Sequence, residues 1–438
     1  MYPYLKENVV IVEGMKSDGI YDLNQGKFHR VNKQASNLLG TLNGEIAIDV
    51  FSASERIFIE NAISKGIVVR QNESILHKKT ELADVVRNDR PIRFAWIELT
   101  SICNQNCKHC FMGKDLNKTK PLKKELIYQL VDVLYERGIT QIILTGGEPT
   151  LHPDFGEILD YVAQYDINIT LLTNGTTSNI GQYIYKLKEY GVRTKMSILG
   201  WEKAHDYMVG VQGAFKKLLE TIDLFIETKT PIELGMTICS ANCMDAKLVR
   251  EYANSKRLSL NMSPLYPIGR ALDNYSLLYK HTQREFIQLC QEDKERAIKD
   301  VLEFPKSVRK TRPISPTDYE AIDLAGFLTN SYECGQKIIA ILANGKVAPC
   351  LLLREQTFQI GDVFKEKLDD ILQYDNPTRK EYNERMLLSN NAQCSNCEAL
   401  YACKGGGCIA ITQAIKGNIN ERNPYFSKCY YSTVLNNE

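Results

Sequence analysis

The chain is 438 residues long, 44% hydrophobic and 24% charged, with a net charge of +1; this is an ordinary globular balance, spread over two or three domains. The near-neutral charge gives no footprint for nucleic acid or an anionic membrane, so neither is expected as a partner. The start lacks a basic segment followed by an apolar one, and no apolar run approaches the ~20 residues that cross a bilayer, which makes the cytoplasm the expected location.

Residues 1–80 read as one module. NVVIVEG, GIYDLN and GKFHRVN are three short strands separated by turn residues. KQASNLLGTLNG has helical apolar spacing, and Ser52 with Glu55 forms a capping box for the helix SASERIFIENAISKG. Three strands followed by helices predict a winged-helix-like α+β module. The polar stretch from Gln71 to Arg90 reads as a linker with a possible helical turn, leaving residues 81–91 between domains.

From residue 92 strands and helices alternate. The strands are IRFAWIELT, QIILTGG, INITLLTNG, RTKMSILG, PIELGMTIC and LSLNMSPLY, each followed by an amphipathic helical stretch, the last being TQREFIQLCQEDKERAIKDV. Six such units predict a parallel sheet with crossover helices. They are too few for a closed eight-stranded barrel, so residues 92–300 are expected to form a partial (β/α)6 TIM-like barrel, with its site at the C-terminal strand ends. Residues 301–330 read as a bridging segment. Residues 331–438 have short strands, clustered glycines and a thin apolar core, the mark of a Cys-rich domain held by metal. The predicted fold class is therefore α/β, with an N-terminal α+β module and a C-terminal Cys-rich Fe–S domain.

Thirteen cysteines in a long chain without an export signal point to metal rather than disulfides. Three lie between Cys103 and Cys110, and seven between Cys334 and Cys429; Cys239, Cys243 and Cys290 fall outside both groups. Cys239 and Cys243 flank the fifth strand end and read as incidental thiols. Cys103, Cys107 and Cys110 follow the first barrel strand directly. Three thiolates on one short loop cap one face of a [4Fe–4S] cubane and leave the fourth iron open. A zinc site normally wants four ligands, and His109 is an odd fourth, packed between two cysteines.

This C-x3-C-x2-C motif after the first of six βα units resembles the signature of the radical S-adenosylmethionine (SAM) superfamily. The resemblance implies that SAM chelates the open iron and is cleaved to a 5′-deoxyadenosyl radical that abstracts hydrogen from substrate. Gly146-Gly147-Glu148-Pro149, ending the second strand, resembles the loop that contacts the SAM amino group. Thr173 and Asn174 at the third strand end, and Ser197 near the fourth, resemble the groups that hold SAM ribose and carboxylate. His109 stands where the family often places an aromatic residue near adenine; a solvated loop histidine is the other reading. Arg270, after the sixth strand, is either a carboxylate or substrate ligand or a surface arginine. No acid–base residue can be named.

The second cysteine group resembles the SPASM domain, a C-terminal extension that carries two auxiliary [4Fe–4S] clusters, which makes three clusters in all. By position the first auxiliary cluster takes Cys334, Cys350 and Cys408, with an open iron that would suit a substrate thiolate. The second takes Cys394, Cys397, Cys403 and Cys429. The chain departs from the family in placing four residues, not three, between Cys403 and Cys408.

The N-terminal module resembles the small PqqD-like domain, the RiPP recognition element, that binds the leader of a ribosomally made precursor peptide as an added strand. The groove would lie along the edge strand Lys27, Phe28, His29, Arg30 and Val31, against the helix from Ser52. These resemblances imply a peptide maturase that closes a thioether or C–C cross-link, with a precursor peptide as substrate and a flavodoxin or ferredoxin as reductant. The alternatives are a sulfatase activator that makes formylglycine and, in a different class, an Fe–S redox sensor without turnover. A colourless zinc-binding protein is a further option.

Overall fold

The computed structural model describes residues 1–87, 91–278, 328–404 and 408–421. They form two units: Met1–Arg90 with Ser307–Tyr332 and Asn383–Glu438, and Pro91–Lys306 with Glu333–Tyr382. The last expected helix and the bridging segment 301–330, apart from its final residues, lie outside the described residues.

In the first unit, β1 (Tyr2–Leu5), β2 (Val9–Glu13), β3 (Asp18–Asp22) and β4 (Lys27–Val31) precede helices α1 (Lys33–Thr41) and α2 (Ala53–Ser64) and strand β5 (Val68–Gln71). The expected strands form an antiparallel meander, β2-β3-β4, with β4 at an edge. A pairing that local pattern does not announce also appears: β1 runs antiparallel to β5. The capping box is present at α2, where Glu55 N–H donates to the Ser52 hydroxyl and the Glu55 carboxylate accepts from Ser52 N–H at 2.8 Å. Asn32 caps α1 by accepting from Ala35 N–H at 2.8 Å.

Side chains alternate across a strand, so β4 has two faces. His29 pairs with Ile20, and Val31 packs on the core formed by Ile20, Leu39, Ile59 and their neighbours. Phe28 and Arg30 pair with Tyr21 and Gly19 on the opposite face. There Phe28 and Tyr21 pack with Tyr401 and Ala402 of the Cys-rich segment. The expected linker turn is α3 (Leu82–Val85), and β6 (Val86–Arg87) after it pairs in parallel with β13 (Leu328–Thr329).

In the second unit, strands β7 (Phe94–Thr100), β8 (Gln141–Gly146), β9 (Asn168–Thr173), β10 (Arg193–Ser197), β11 (Ile232–Ile238) and β12 (Ser259–Pro264) all appear where expected. They pair side by side in sequence order, all parallel. The crossovers carry α4 (Lys124–Glu136), α5 (Phe155–Val162), α6 (Ile180–Glu189), α7 (Lys203–Val209), α8 (Ala214–Glu227) and α9 (Ala246–Ser255); α7 is an addition. Near-continuous burial along β7 and β8 fits a parallel sheet covered on both faces.

The sheet does not end at β7. Strand β14 (Ile338–Ile341) pairs with it in parallel, and β15 (Lys346–Ala348) and β16 (Gly361–Asp362) continue antiparallel. Residues that the linear order assigns to the Cys-rich region thus extend the parallel sheet.

Candidate functional site

All parallel strands deliver their C-terminal ends to one edge, and the loop after β7 carries Cys103, Cys107 and Cys110. The loop is sewn to its surroundings by hydrogen bonds. Cys103 N–H donates to Asn117 Oδ1 at 2.8 Å, and Asn117, in the left-handed region at φ 58°, donates its own N–H to Ser101 O at 2.8 Å. Asn106 and Lys108 donate to Val209 and Met208 carbonyls at 2.9 Å, at the end of α7. Arg270 donates its backbone N–H to Cys110 O at 3.0 Å and its guanidinium to Asn106 Oδ1. Arg270 therefore holds the cysteine loop, a role its position alone did not reveal. Gly269, at φ 58°, lets the two segments touch; a Cβ there would overlap the Cys110 and Phe111 carbonyls.

The three thiols electrostatically sense one another. Burial pushes Cys103 up to about 11 and raises Cys107 and Cys110, while Arg270 opposes it at the latter two. They are thiols, like all eleven described cysteines, rather than disulfides. Among the described residues no three Cys, His, Asp or Glu side chains converge closely enough for a single ion. A cubane spreads its thiolates farther apart than one zinc does, so three half-buried thiols close enough to raise one another's pKa on one loop fit a cluster.

The expected SAM residues gather at the same edge. Gly146, at φ 142°, and Gly147 lie against Thr100 and Ile102, whose carbonyls a Cβ would strike; their smallness serves the junction of β7 and β8. Glu148 is fully buried. Its carboxylate accepts from the Thr150 and Thr173 hydroxyls and from Asn174 N–H, each at 2.7 Å, and from Thr150 N–H at 3.2 Å. Burial raises its pKa against those donors. The Glu148 carboxylate thereby fastens the β8 end to the β9 end. Pro149 is buried at the start of a short 3-10 turn, and Ser197 is exposed at the tip of β10.

Asn174 is half-buried beside the cluster loop: its amide nitrogen donates to Asn104 Oδ1 at 2.7 Å and approaches Cys103 Sγ at 3.9 Å. Asn104 and Gln105 in turn donate to the Thr176 hydroxyl at 3.0 and 3.2 Å. Asn104, Gln105, Thr176 and Asn117 carry no motif in the sequence, because their roles arise from contacts between distant loops. His109 Nδ1 is buried without a hydrogen-bond partner, and burial lowers its pKa to about 4, with His205 a second cause. His109 is thus a half-buried imidazole whose Nδ1 is turned inward and whose lowered pKa keeps it neutral. His205 accepts from Leu199 N–H through Nδ1 at 3.0 Å. Cys239 is a buried core thiol 3.8 Å from Met208 Sδ, in a cluster against which Cys107 packs.

A buried ion triad stands behind the loop. Arg354, only 9% exposed, meets Glu98 of β7 at 2.7 Å and Asp115 at 3.1 Å, and its guanidinium carbon lies 5.7 Å from the Phe111 ring centre. Glu98 also accepts from Ala343 N–H at 3.0 Å. The triad ties the β14–β15 hairpin to the strand that precedes the cluster cysteines.

Cys334 and Cys350 hydrogen-bond to each other, which holds Cys350 below its ordinary thiol range against burial. Gly335 N–H donates to Pro349 O at 3.0 Å, and Tyr382 OH to Cys334 O at 2.8 Å. Cys408, assigned to the same cluster, caps the helix Ile409–Lys416 in the other unit. Cys394, Cys397 and Cys403 follow one another through turn hydrogen bonds, Cys397 N–H to Cys394 O at 2.9 Å and Cys403 N–H to Ala399 O at 2.8 Å. Cys394 and Cys403 both act on the Tyr332 phenol. Cys429 lies outside the described residues. On β4 the five expected groove residues divide: Lys27, His29 and Val31 share the α2 side, whereas Phe28 and Arg30 face the Cys-rich segment.

Residues 97–239 match the Radical SAM superfamily, and residues 333–398 match an iron–sulfur cluster-binding domain, SPASM. The chain is 24% identical over 306 residues to the sporulation killing factor maturation protein SkfB of Bacillus subtilis, covering 69% of this chain and 68% of that one. It is 25% identical over 321 residues to the subtilosin biosynthesis protein AlbA of the same organism, covering 72% and 66%. The chain thus spans about two thirds of the length of these relatives. The solved structure of Streptococcus suis SuiB bound to precursor peptide SuiA shares the fold at a TM-score of 0.60 and 14% identity, over 98% of this chain and 100% of that one.

Proposed function

We propose that this enzyme, with its radical SAM domain and its iron–sulfur cluster-binding domain, modifies a ribosomally made precursor peptide and closes a thioether or C–C cross-link in it. The observation that carries the reading is the combination of a half-buried three-thiol loop at the strand ends with a separate meander whose edge strand, β4, pairs only with β3 among the described residues. An open edge takes an extended peptide by strand addition. The two peptide-maturation relatives support the same substrate class.

When bound, the [4Fe–4S] cluster and SAM supply a 5′-deoxyadenosyl radical that removes a substrate hydrogen, while two auxiliary clusters accept the electron left over. The chain's residues do the rest. Cys103, Cys107 and Cys110 hold the first cluster; Asn117, Asn106 and Arg270 fix their loop; Glu148 locks the β8 and β9 ends where SAM lies. Gly146, Gly147, Asn174 and Ser197 offer backbone and polar contacts to SAM, and His109 presents a neutral ring. Cys334, Cys350 and Cys408 hold one auxiliary cluster, and Cys394, Cys397, Cys403 and Cys429 the other. The six parallel strands β7–β12 of the sheet act as a partial barrel, open to admit the peptide core. Closing one cross-link removes two hydrogen atoms from the peptide. A flavodoxin or ferredoxin in the cytoplasm provides the reducing electron. Among the described residues no helix is long and apolar enough to cross a membrane.

The test is co-expression with a candidate precursor peptide, sought as a short open reading frame beside the gene, read by mass spectrometry. Loss of two hydrogens per cross-link, abolished by Cys107→Ala and by deletion of residues 1–80, is expected. Modification that survives the deletion contradicts leader docking and favours the formylglycine-generating alternative.

A further inference from the structure

The meander and the Cys394–Cys403 loop meet on one acidic residue. Glu398 follows Cys397 directly, and its side chain is 9% exposed. Its carboxylate accepts from the Ser17 hydroxyl at 2.6 Å and from Arg30 Nε at 2.7 Å, and Arg30 Nε also reaches Ser17 Oγ at 2.7 Å. Its backbone carbonyl accepts from Tyr21 OH at 2.9 Å. The approach is close enough to need bare backbone, since a Cβ on Gly14 or Gly19 would overlap Glu398. Aromatic rings continue the seam: Tyr21 lies 4.9 Å from Phe28 and 6.2 Å, edge-on, from Tyr401.

Three features make this seam more than packing. Its strand side is β4, and Arg30 and Phe28 are the β4 side chains that do not face α2. Its loop side is rigidly related to three cysteines, because Leu400 N–H donates to Cys397 O at 3.0 Å within the same run of turns that joins Cys394 to Cys403. The contact is ionic, with a buried carboxylate that takes the Ser17 hydroxyl and the more exposed Arg30 guanidinium together, so it is lost as a unit when the loop moves.

We propose that Glu398 is a positioning residue that ties the Cys394–Cys403 loop to β4, so that cluster loading in the loop and leader docking on the strand favour one another. The proposal rests on the reading of β4 as the leader strand and of the loop as a cluster site. Coupling of this kind is reciprocal: whatever orders the loop orders β4, and an added strand on β4 holds the loop in its cluster-bearing form.

The experiment is hydrogen–deuterium exchange on the full chain, once with clusters reconstituted and once after chelation, read at residues 18–31. Loading is expected to slow exchange there by at least about fivefold. Glu398→Ala and Arg30→Met are each expected to abolish the slowing while iron content stays near wild type. If Glu398→Ala does not load iron, Arg30→Met carries the same test, because Arg30 sits at the more exposed end of the pair. Equal exchange with and without clusters in the wild-type chain overturns the tie, and so does a wild-type response in the iron-loaded variants. No peptide is used, so failure here leaves leader docking standing, whereas leader docking fails separately if deletion of residues 1–80 spares peptide modification.

Discussion

Glu148 shows how a motif residue acts at the scale of single atoms. Four donors converge on its buried carboxylate, two from Thr150 just after β8 and two from Thr173 and Asn174 at the end of β9. Glu148→Ala leaves those donors without an acceptor, and each unsatisfied buried group costs about 1–3 kcal/mol. The variant is expected to lose at least about 2 kcal/mol in chemical denaturation of the cluster-free protein and to bind SAM at least tenfold more weakly; an unchanged unfolding midpoint would contradict this. His205 gives a pH signature. Burial lowers its pKa to about 4, with Asp206 opposing. The unfolded chain protonates it near its ordinary 6.5, so the stability it confers is present above that value and is lost as pH falls from 6.5 to 4, on the order of 3 kcal/mol in all. Urea midpoints of the cluster-free protein should fall more steeply over this window in wild type than in His205→Gln, and parallel profiles would refute the assignment. The motif cysteines and glycines were legible because their spacing is local. Asn117, Thr176 and the hydrogen bonds of the Glu148 carboxylate were not, because each depends on which loops the fold brings together.

Among the elements, the β14–β15 hairpin is the piece whose pairing with β7 the sequence did not announce. IIAI is a four-residue apolar run that fits any buried strand, and nothing in it names β7 as its partner. The Arg354–Glu98 pair that fixes the arrangement spans 256 residues. The β1–β5 pairing was missed for the same reason, while the capping box at Ser52 and the six strand–helix alternations were readable because their signals lie within a few residues. Breaking the buried pair has a clear expected cost. Arg354→Met strands the Glu98 carboxylate, which is 0% exposed, and should destabilise the protein by about 3–5 kcal/mol. Adding Glu98→Gln removes the stranded charge and should recover at least about half of the loss in a double-mutant cycle. Additive losses in that cycle would show that the two side chains do not act together.

At the scale of the whole molecule, the chain joins three parts: a three-cysteine loop at the ends of a parallel sheet, a Cys-rich region whose strands extend that sheet, and a meander whose edge strand β4 pairs only with β3 among the described residues. The first two were legible from cysteine spacing and βα alternation. The third rested on a softer pattern, and the structure adds what the pattern lacked, the division of β4 into a side facing α2 and a side facing Glu398. Fold likeness to SuiB at 14% identity supports the architecture and leaves the chemistry to the site. The central claim is that Cys103, Cys107 and Cys110 hold a cluster that cleaves SAM. The direct measurement is 5′-deoxyadenosine formed anaerobically from SAM and dithionite by the reconstituted chain, with iron counted in the same sample. About twelve irons from three four-iron clusters, with 5′-deoxyadenosine produced by the wild-type chain and none by a Cys103/Cys107/Cys110→Ala variant, is the predicted result. Iron-loaded wild-type protein that leaves SAM intact would contradict the account and point to a redox sensor.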